Sequence, residues 1–365
     1  MHRVIISGGG TGGHIFPAIA IANALKEISP GVEILFVGAK GKMEMEKVPA
    51  AGYKIEGLNI SGLQRKLSLK NFILPFRLVG ALLKAGSILN KFRPQVAVGV
   101  GGYASSALVY MAARKGIPVV IQEQNSFPGK TNKFLSTYAK KICVAYPDME
   151  NYFPKDKIVV SGNPVRQDIE QIRFTREQGI AFFGLNTAVT TLLTFGGSQG
   201  AKAINEGMEN ALPLLKKNNI QVIWQTGKHY YERAKQAVEK GGYDNVRVME
   251  FIEKMNYAYA AADLVVSRAG AIAVAELAIS GKASILVPLP TAAEDHQTKN
   301  AMALVNRGAA VLLRNGHAPE QLGTMVKDLF AKPEEIQKLE HNIRQFAVHD
   351  AAKVIASEIV KQVKE

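Results

Sequence analysis

The sequence predicts an α/β protein made of two domains, each built around a parallel sheet. The chain has 365 residues, which exceeds the roughly 250–300 residues at which a single hydrophobic core stops growing. Short β-branched apolar runs alternate with helical patterns along the whole chain, as is typical of strand–helix–strand units. Each half also begins with a strand, a glycine-rich turn and a helix, so the two halves repeat one architecture.

The strands and the domain boundary follow from the apolar runs and the turns between them. A turn cluster at 161–164 (SGNP) predicts a boundary that gives domains 1–163 and 164–346. A last amphipathic helix is expected at about 347–365, with Val354, Ile355, Ile359 and Val363 on one side. The predicted strands are 4–7, 34–37, 96–100, 119–122 and 142–145 in the first half, and 191–195, 221–225, 246–250, 264–267, 284–287 and 310–313 in the second.

Composition restricts the class of protein. With 47% hydrophobic and 21% charged residues the chain is typical of soluble globular proteins. Its single cysteine, Cys143, excludes an internal disulfide and a cysteine-based metal cluster, which favours a reducing compartment. No window approaches the ~20 apolar residues of a membrane span, and the first strand is too short for a signal peptide. We therefore expect the protein to remain inside the cell.

The positive charge is concentrated in the first half. Residues 1–163 carry 21 Lys and Arg against 9 Asp and Glu, whereas residues 164–365 carry 24 against 22. No acidic residue occurs between Glu56 and Glu123. This asymmetry indicates an anionic partner, either nucleic acid, a phospholipid surface or a pyrophosphate. Nucleic acid is disfavoured, because the basic region has few aromatic residues for stacking and matches no recognition motif.

Glycine-rich turns follow three of the predicted strands, at 8–14 (GGGTGGH), 99–105 (GVGGYAS) and 196–200 (GGSQG). Glycines let a backbone approach a ligand closely, and the N–H groups at a helix start favour anions. Close packing of a helix on a strand would explain one such turn, but it explains three less well. A dinucleotide site would need an acid at the end of the second strand, where Gly38 stands. A P-loop would need Gly-Lys-Ser/Thr, which is missing here.

Three polar residues could carry chemistry, and each has a simpler structural alternative. His14 begins the helix after the first turn, where it is a candidate general base or a capping and packing residue. Glu276 lies among apolar neighbours on a helix, so it should bind either a ligand hydroxyl or a structural partner. Gln297 could point into a cleft, although the simpler explanation of its motif is that Asp295 caps the helix. The spacing of acids and histidines indicates no metal site.

Residues 63–89 mix apolar and basic side chains without any acid. The commoner explanation is an amphipathic helix that buries one face. The same composition is also typical of a surface that lies on an anionic membrane. Both explanations remain open at this point.

Six motifs together resemble the MurG family over essentially the whole chain: 8–14 (GGGTGGH), 101–105 (GGYAS), 122–125 (QEQN), 162–166 (GNPVR), 196–200 (GGSQG) and 295–297 (DHQ). The resemblance implies a GT-B glycosyltransferase fold, with two Rossmann-like domains, a cleft between them and a last helix that packs back on the first domain. It implies His14 as the catalytic base and acceptor contacts by Gly101, Gly102 and Tyr103. The implied donor-binding residues are Thr11, Gly12, Gly13, Asn125, Arg166, Ser198, Ile252, Arg268, Gly270, Ala271, Ile272, Glu276 and Gln297.

By the same resemblance the reaction is inverting transfer of N-acetylglucosamine from UDP-N-acetylglucosamine to the C4 hydroxyl of lipid I, giving lipid II for peptidoglycan synthesis. No metal or other cofactor is expected. The protein should lie at the cytoplasmic face of the bacterial inner membrane, bound peripherally to its anionic surface, where other cell-wall proteins are conceivable partners. The alternatives are a nicotinamide-dependent oxidoreductase, a non-catalytic nucleotide or lipid-binding protein, and a related transferase with another lipid acceptor.

Overall fold

The computed structural model describes residues 3–60, 74–197 and 199–363, and it divides into two compact units. The first unit comprises Met1–Arg166 with Asp350–Glu365, and the second comprises Gln167–His349. The expected boundaries, after about 163 and about 346, each lie three residues from these. Turn residues mark where a chain leaves a strand, whereas a domain boundary depends on which unit each residue contacts.

The first unit contains a seven-stranded parallel sheet in the order β3-β2-β1-β4-β5-β6-β7. Helices alternate with most of its strands, because parallel neighbours need a crossover connection. The elements are β1 (Arg3–Gly8), α1 (Gly12–Ile28), β2 (Glu33–Ala39), α2 (Glu44–Ala50), β3 (Lys54–Leu58), α3 (Leu74–Phe92), β4 (Val96–Gly101), α4 (Tyr103–Arg114), β5 (Val119–Glu123), α5 (Lys130–Leu135), β6 (Lys141–Val144) and β7 (Ile158–Val160).

The second unit has a six-stranded parallel sheet in the order β10-β9-β8-β11-β12-β13. Relative to its own first strand this is the same order as in the first unit. The elements are α6 (Gln167–Glu170), α7 (Arg176–Phe182), β8 (Thr190–Phe195), α8 (Lys202–Lys217), β9 (Ile220–Gln225), α9 (Tyr231–Gly241), β10 (Val246–Met249), α10 (Met255–Ala261), β11 (Leu264–Ser267), α11 (Ala271–Ser280), β12 (Ser284–Leu286), α12 (His296–Val305), β13 (Val311–Leu312), α13 (Ala318–Phe330) and α14 (Pro333–Arg344).

The last helix, α15 (Ala351–Lys361), belongs to the first unit although the chain reaches it from the second. Ile355, Ala356 and Ile359 are fully buried against a core that includes Ile21 and Leu25 of α1. Burying an isoleucine side chain contributes about 1.5–3 kcal/mol, so this face holds the helix on the first unit. Val354, which the sequence placed on the same face, is only half-buried.

All eleven predicted strands are present, and two further strands, β3 and β7, were missed. Both lie at the edges of the first sheet. The sequence of β3 (KIEGL) mixes polar and apolar residues, and β7 (IVV) has only three residues. Edge strands are covered less completely than central ones, so their sequences need no continuous apolar run.

Candidate active site

The glycine-rich turns lie at the carboxyl ends of the central strands. In the first unit β1 is flanked by β2 and β4, and in the second β8 is flanked by β9 and β11. The strand order therefore reverses beside β1 and beside β8. Open α/β sheets bind ligands at such reversal points. The turn 8–14 follows β1, and the turn 196–200 follows β8.

His14 lies in the first turn of α1 and is held by the glycine-rich segment before it. Its Nδ1 is 3.0 Å from the carbonyl oxygen of Gly9 and 3.3 Å from the hydroxyl of Thr11. A carbonyl oxygen can only accept a hydrogen bond, so Nδ1 is the nitrogen that carries the proton. In the neutral ring Nε2 is then the proton acceptor, which is the form that a general base requires.

Gly101 and Gly102 leave room for His14 and for the turn that carries it. A Cβ atom on Gly101 would lie 2.6 Å from Cδ2 and 2.8 Å from Nε2 of His14, and Gly101 has a φ of +105°. On Gly102, with a φ of +90°, it would lie 2.4 Å from the carbonyl oxygen of Gly9. Packing thus accounts for both glycines, while their contact with an acceptor stays a prediction. Tyr103, which follows them, is 54% exposed.

No acid ends the second strand itself, as the sequence indicates, but the helix that follows brings one next to it. Glu44 begins α2 five residues after Ala39 and folds back over Gly38, where a Cβ atom would lie 2.5 Å from its Cγ. Its carboxylate is fully buried and accepts hydrogen bonds from the N–H groups of Ala39 and Gly10, both at 3.0 Å. Because this carboxylate is buried and binds the protein's own backbone, it is not available to bind the ribose of a dinucleotide.

Asn125, at the carboxyl end of β5, is held by the neighbouring Glu123. Its N–H and Nδ2 groups both donate to Oε1 of Glu123, at 3.0 and 3.1 Å. The other oxygen, Oε2, accepts from Nδ2 of Asn132 at 2.8 Å and from the N–H of Gly129 at 3.2 Å. Burial raises the pKa of Glu123, and its four hydrogen bonds lower the pKa by less. Sequence reasoning gave Glu123 no role, although it lies within a recognised motif.

The motifs 122–125 (QEQN) and 162–166 (GNPVR) contact each other through buried side-chain amides. Nε2 of Gln122 donates to Oδ1 of Asn163 at 3.1 Å, and Nδ2 of Asn163 donates to the carbonyl of Gln124 at 2.9 Å. Nε2 of Gln124 also donates to the carbonyl of Val100 at 2.7 Å and forms a short contact with Oε1 of Gln122. The chain after β5 is therefore tied to the end of β4 and to the loop after β7.

In the second unit, Gln225 ties the second glycine-rich turn to Ile252. Its Nε2 donates to the carbonyl of Gly197 at 3.1 Å, and its Oε1 accepts from the N–H of Ile252 at 2.9 Å. The side chain of Ile252 lies in the core, so a donor contact at this residue would be made by its backbone. Gln225 ends β9 and was not singled out from the sequence, because a polar residue ending a strand has no distinctive pattern.

Arg268 is a structural tie as well as a predicted donor contact. Its Nη1 donates to the carbonyls of Val287 and Pro288, at 3.0 and 3.2 Å, and to Oδ1 of Asn315 at 2.7 Å. Burial lowers the pKa of Arg268 to about 10. The predicted residues Gly270, Ala271 and Ile272 follow at the start of α11, with Gly270 in the N-cap position.

Glu276 and Gln297 each have a structural partner. Oε2 of Glu276 accepts from the hydroxyl of Tyr259 at 3.0 Å, and both side chains are buried. Oε1 of Gln297 accepts from the N–H of Leu289 at 2.9 Å, which holds the loop after β12. Asp295 occupies the N-cap position of α12, but its carboxylate bonds the hydroxyl of Thr298 and makes no N-cap hydrogen bond.

The predicted site residues are divided between the two units. In the first unit His14 packs against Gly101, Thr11 contacts His14, Gly12 and Gly13 begin α1, Asn125 follows β5, and Arg166 ends the unit. In the second unit Arg268 and Gln297 hold the loop after β12. Ser198 lies outside the described residues. Across the described ranges, no group of three or more His, Cys, Asp or Glu side chains is placed to hold a metal ion.

Comparison with known proteins identifies the family. The family model of the glycosyltransferase family 28 N-terminal domain matches residues 4–144, and that of the glycosyltransferase family 28 C-terminal domain matches residues 191–355. A protein of Cytophaga hutchinsonii is 52% identical over 98% of this chain and 96% of its own length. It is named UDP-N-acetylglucosamine–N-acetylmuramyl-(pentapeptide) pyrophosphoryl-undecaprenol N-acetylglucosamine transferase. The chain belongs to this transferase family.

Solved structures agree with that assignment. The crystal structure of Acinetobacter baumannii MurG is 31% identical, covers 99% of this chain and 100% of its own, and has a TM-score of 0.80. A UDP-GlcNAc 2-epimerase from Neisseria meningitidis reaches a TM-score of 0.68 at 16% identity, covering 99% of this chain and all of its own, and shows the fold alone. The fold is therefore GT-B, and the chain is a MurG-family glycosyltransferase. The same fold serves another chemistry, so the sequence relatives decide the enzyme class.

Proposed function

We propose that this chain transfers N-acetylglucosamine from UDP-N-acetylglucosamine to undecaprenyl-pyrophosphoryl-N-acetylmuramyl-pentapeptide. The observation that supports this most directly is 52% identity to a relative named for that transfer, over nearly the whole of both chains. A relative of Flavobacterium psychrophilum with the same name is 49% identical over the full length of this chain. The site geometry adds a histidine whose Nε2 is a proton acceptor, next to an exposed tyrosine at the end of β4.

In the mechanism that we propose, Nε2 of His14 removes the proton from the C4 hydroxyl of the acceptor sugar. The resulting oxygen attacks the anomeric carbon, the bond to UDP breaks, and the product has a β linkage. The negative charge that develops on the diphosphate would be stabilised by backbone N–H groups of the turn 196–200 and the start of α8. Glu276 would bind the ribose. No step in this scheme needs a metal ion.

The experiment that tests the reaction is release of UDP from UDP-N-acetylglucosamine by the purified protein, with and without the lipid-linked muramyl-pentapeptide. We expect rapid release only when the acceptor is present, together with a disaccharide product. Tight UDP-sugar binding without turnover in the presence of acceptor would contradict an enzyme and support a binding protein. Turnover with a different lipid-linked sugar, and none with this one, would assign the chain to another acceptor.

We further propose that α3 carries the contact with an anionic membrane surface. One face of α3 is buried in the first unit, through Ala81, Ala85, Ile88 and Leu89. Apolar side chains on its other side are exposed, with Phe76 at 80% and Leu83 at 70%. An ordinary amphipathic surface helix, which buries one face only, would expose polar residues on its other side. The basic and apolar residues at 63–73 lie outside the described residues, so the proposal is confined to α3.

The position of α3 and the charge of its surroundings favour a lipid surface over a protein groove. Arg77 and Lys84 lie beside the exposed apolar side chains, and Lys84 pairs with Glu56 at 3.5 Å, close to the surface. Basic residues attract anionic lipids by about 1 kcal/mol each near the surface. Within residues 3–60, 74–197 and 199–363, no helix combines the length and apolar character needed to cross a membrane. We therefore propose a peripheral contact.

Flotation with liposomes tests this contact. We expect the protein to float with vesicles that contain phosphatidylglycerol and to dissociate from them at high salt, since surface charges are screened. The double variant Phe76→Ser/Leu83→Ser should lose most of this binding. Phe251→Ser is the matched control, because Phe251 is 51% exposed in the second unit. Equal binding to neutral and anionic vesicles would contradict the electrostatic part of the proposal.

A further inference from the structure

The buried carboxylate of Glu44 is connected to His14 through one peptide group. Glu44 Oε2 accepts a hydrogen bond from the N–H of Gly10 at 3.0 Å. The carbonyl of Gly9 belongs to the same peptide group, and it accepts from Nδ1 of His14 at 3.0 Å. The order of contacts is therefore carboxylate, peptide N–H, peptide C=O and imidazole Nδ1–H.

The Gly9–Gly10 peptide is held from two sides. On one side a Cβ atom on Gly9 would lie 2.2 Å from Glu44 Oε1, so the carboxylate packs directly against this residue. On the other side the Gly9 N–H donates to the carbonyl of Gly101 at 3.3 Å, and Gly102 is in close contact with the Gly9 carbonyl. Gly10 itself has a φ of +85° and no neighbour within 4 Å of a Cβ position. On the Gly10 side of the peptide, the hydrogen bond to Glu44 is therefore the contact that orients it.

A carboxylate is the group that suits this position. Two backbone N–H groups, those of Gly10 and Ala39, point at its two oxygens, and a carboxylate can accept at both. A charged acceptor strengthens a hydrogen bond and polarises the peptide group that donates it. The Gly9 carbonyl then becomes a better acceptor for His14. This arrangement resembles the carboxylate that orients a catalytic histidine directly, with a peptide group placed between them.

We propose that Glu44 is a positioning residue for His14, which acts through the Gly9–Gly10 peptide to keep the proton on Nδ1 and leave Nε2 as the acceptor. This inference rests on the proposed role of His14 as the base. Glu44 touches no reacting atom in this arrangement. Its effect is to select one tautomer and one ring orientation.

The variant Glu44→Gln tests the proposal, because the amide has the same shape and can accept only one of the two N–H groups. We expect kcat to fall by about tenfold or more, the size of loss that follows when the group orienting a metal-bound histidine is changed, while the KM for UDP-N-acetylglucosamine stays nearly constant. Glu46→Gln is the matched control, since Glu46 lies two residues further along α2 and is exposed. It should behave as the unchanged protein.

Nitrogen-15 NMR of the histidine rings gives a second readout that does not depend on activity. The His14 resonances are identified by their loss in His14→Ala. We expect the Nδ1–H tautomer to dominate in the unchanged protein and in Glu46→Gln, and to lose population in Glu44→Gln. An unchanged tautomer together with unchanged kcat in Glu44→Gln would overturn the proposal.

Two further variants separate positioning from general loss of structure. In the His14→Ala background, Glu44→Gln should cause no additional loss of kcat, because the residue on which it acts is gone. An additional loss of the same size would show a structural role and overturn the proposal. If Glu44→Gln fails to fold, Glu44→Asp retains the charge with a shorter reach, and its tautomer population decides the question. If His14→Ala alone leaves kcat unchanged, the base assignment fails, whereas the tautomer measurement still reports on Glu44.

Discussion

Replacing His14 by alanine should lower kcat by about 10²–10⁴-fold, the usual contribution of a general base. The reason is geometric: the Gly9 carbonyl holds the proton on Nδ1, so Nε2 is the nitrogen that would accept a proton in the proposed mechanism. Donor affinity should change little, because the ring would act on the acceptor hydroxyl in the transition state. Steady-state kinetics with lipid-linked acceptor and calorimetry with UDP measure the two quantities.

The control for this variant is His341→Ala, which removes an exposed histidine from α14 in the second unit. It should leave both kcat and UDP affinity unchanged. Unchanged turnover in His14→Ala would remove His14 from the catalytic role. A large loss of UDP affinity in the same variant would instead indicate that His14 contributes to donor binding.

Replacing Glu276 by alanine should raise the Kd for UDP by about 10- to 100-fold. A hydrogen bond to a charged group contributes about 1.5–3 kcal/mol, and the proposed partner is a ribose hydroxyl. The variant also leaves the buried hydroxyl of Tyr259 without the carboxylate that it bonds at 3.0 Å, so some loss of stability is expected. Calorimetry with UDP and thermal unfolding separate the two effects.

Tyr259→Phe is the matched variant, because it removes the structural partner and keeps the carboxylate. We expect the Kd for UDP in Tyr259→Phe to stay within about twofold of the unchanged protein, since the lost hydrogen bond contributes about 1.5–3 kcal/mol to stability and Tyr259 makes no proposed contact with UDP. If Tyr259→Phe weakens UDP binding as much as Glu276→Ala does, Glu276 acts by supporting the fold. An unaltered Kd in Glu276→Ala would contradict the ribose assignment.

The sequence by itself determined the fold class and the places where a ligand could bind. Central parallel strands are buried on both faces, so they appear as continuous apolar runs that can be recognised locally. The glycine-rich turns after β1, β4 and β8 are equally local, since a few adjacent residues define them. The same is true of His14, whose place directly after a turn marked it as a candidate. Family resemblance then added the chemistry, which composition and periodicity could not supply.

Only the tertiary structure decided how these local pieces are held in place. Glu44 is 34 residues from Gly10 in the sequence, and Gln122 is 41 residues from Asn163. Gly101 is adjacent to His14 because β1 and β4 are neighbours in the sheet, which no local pattern records. A buried polar side chain is satisfied by whichever group the fold brings to it. The residues that position the site, such as Glu44 on α2 and Gly101 on β4, are therefore identified only by the tertiary structure, which brings both next to the turn after β1.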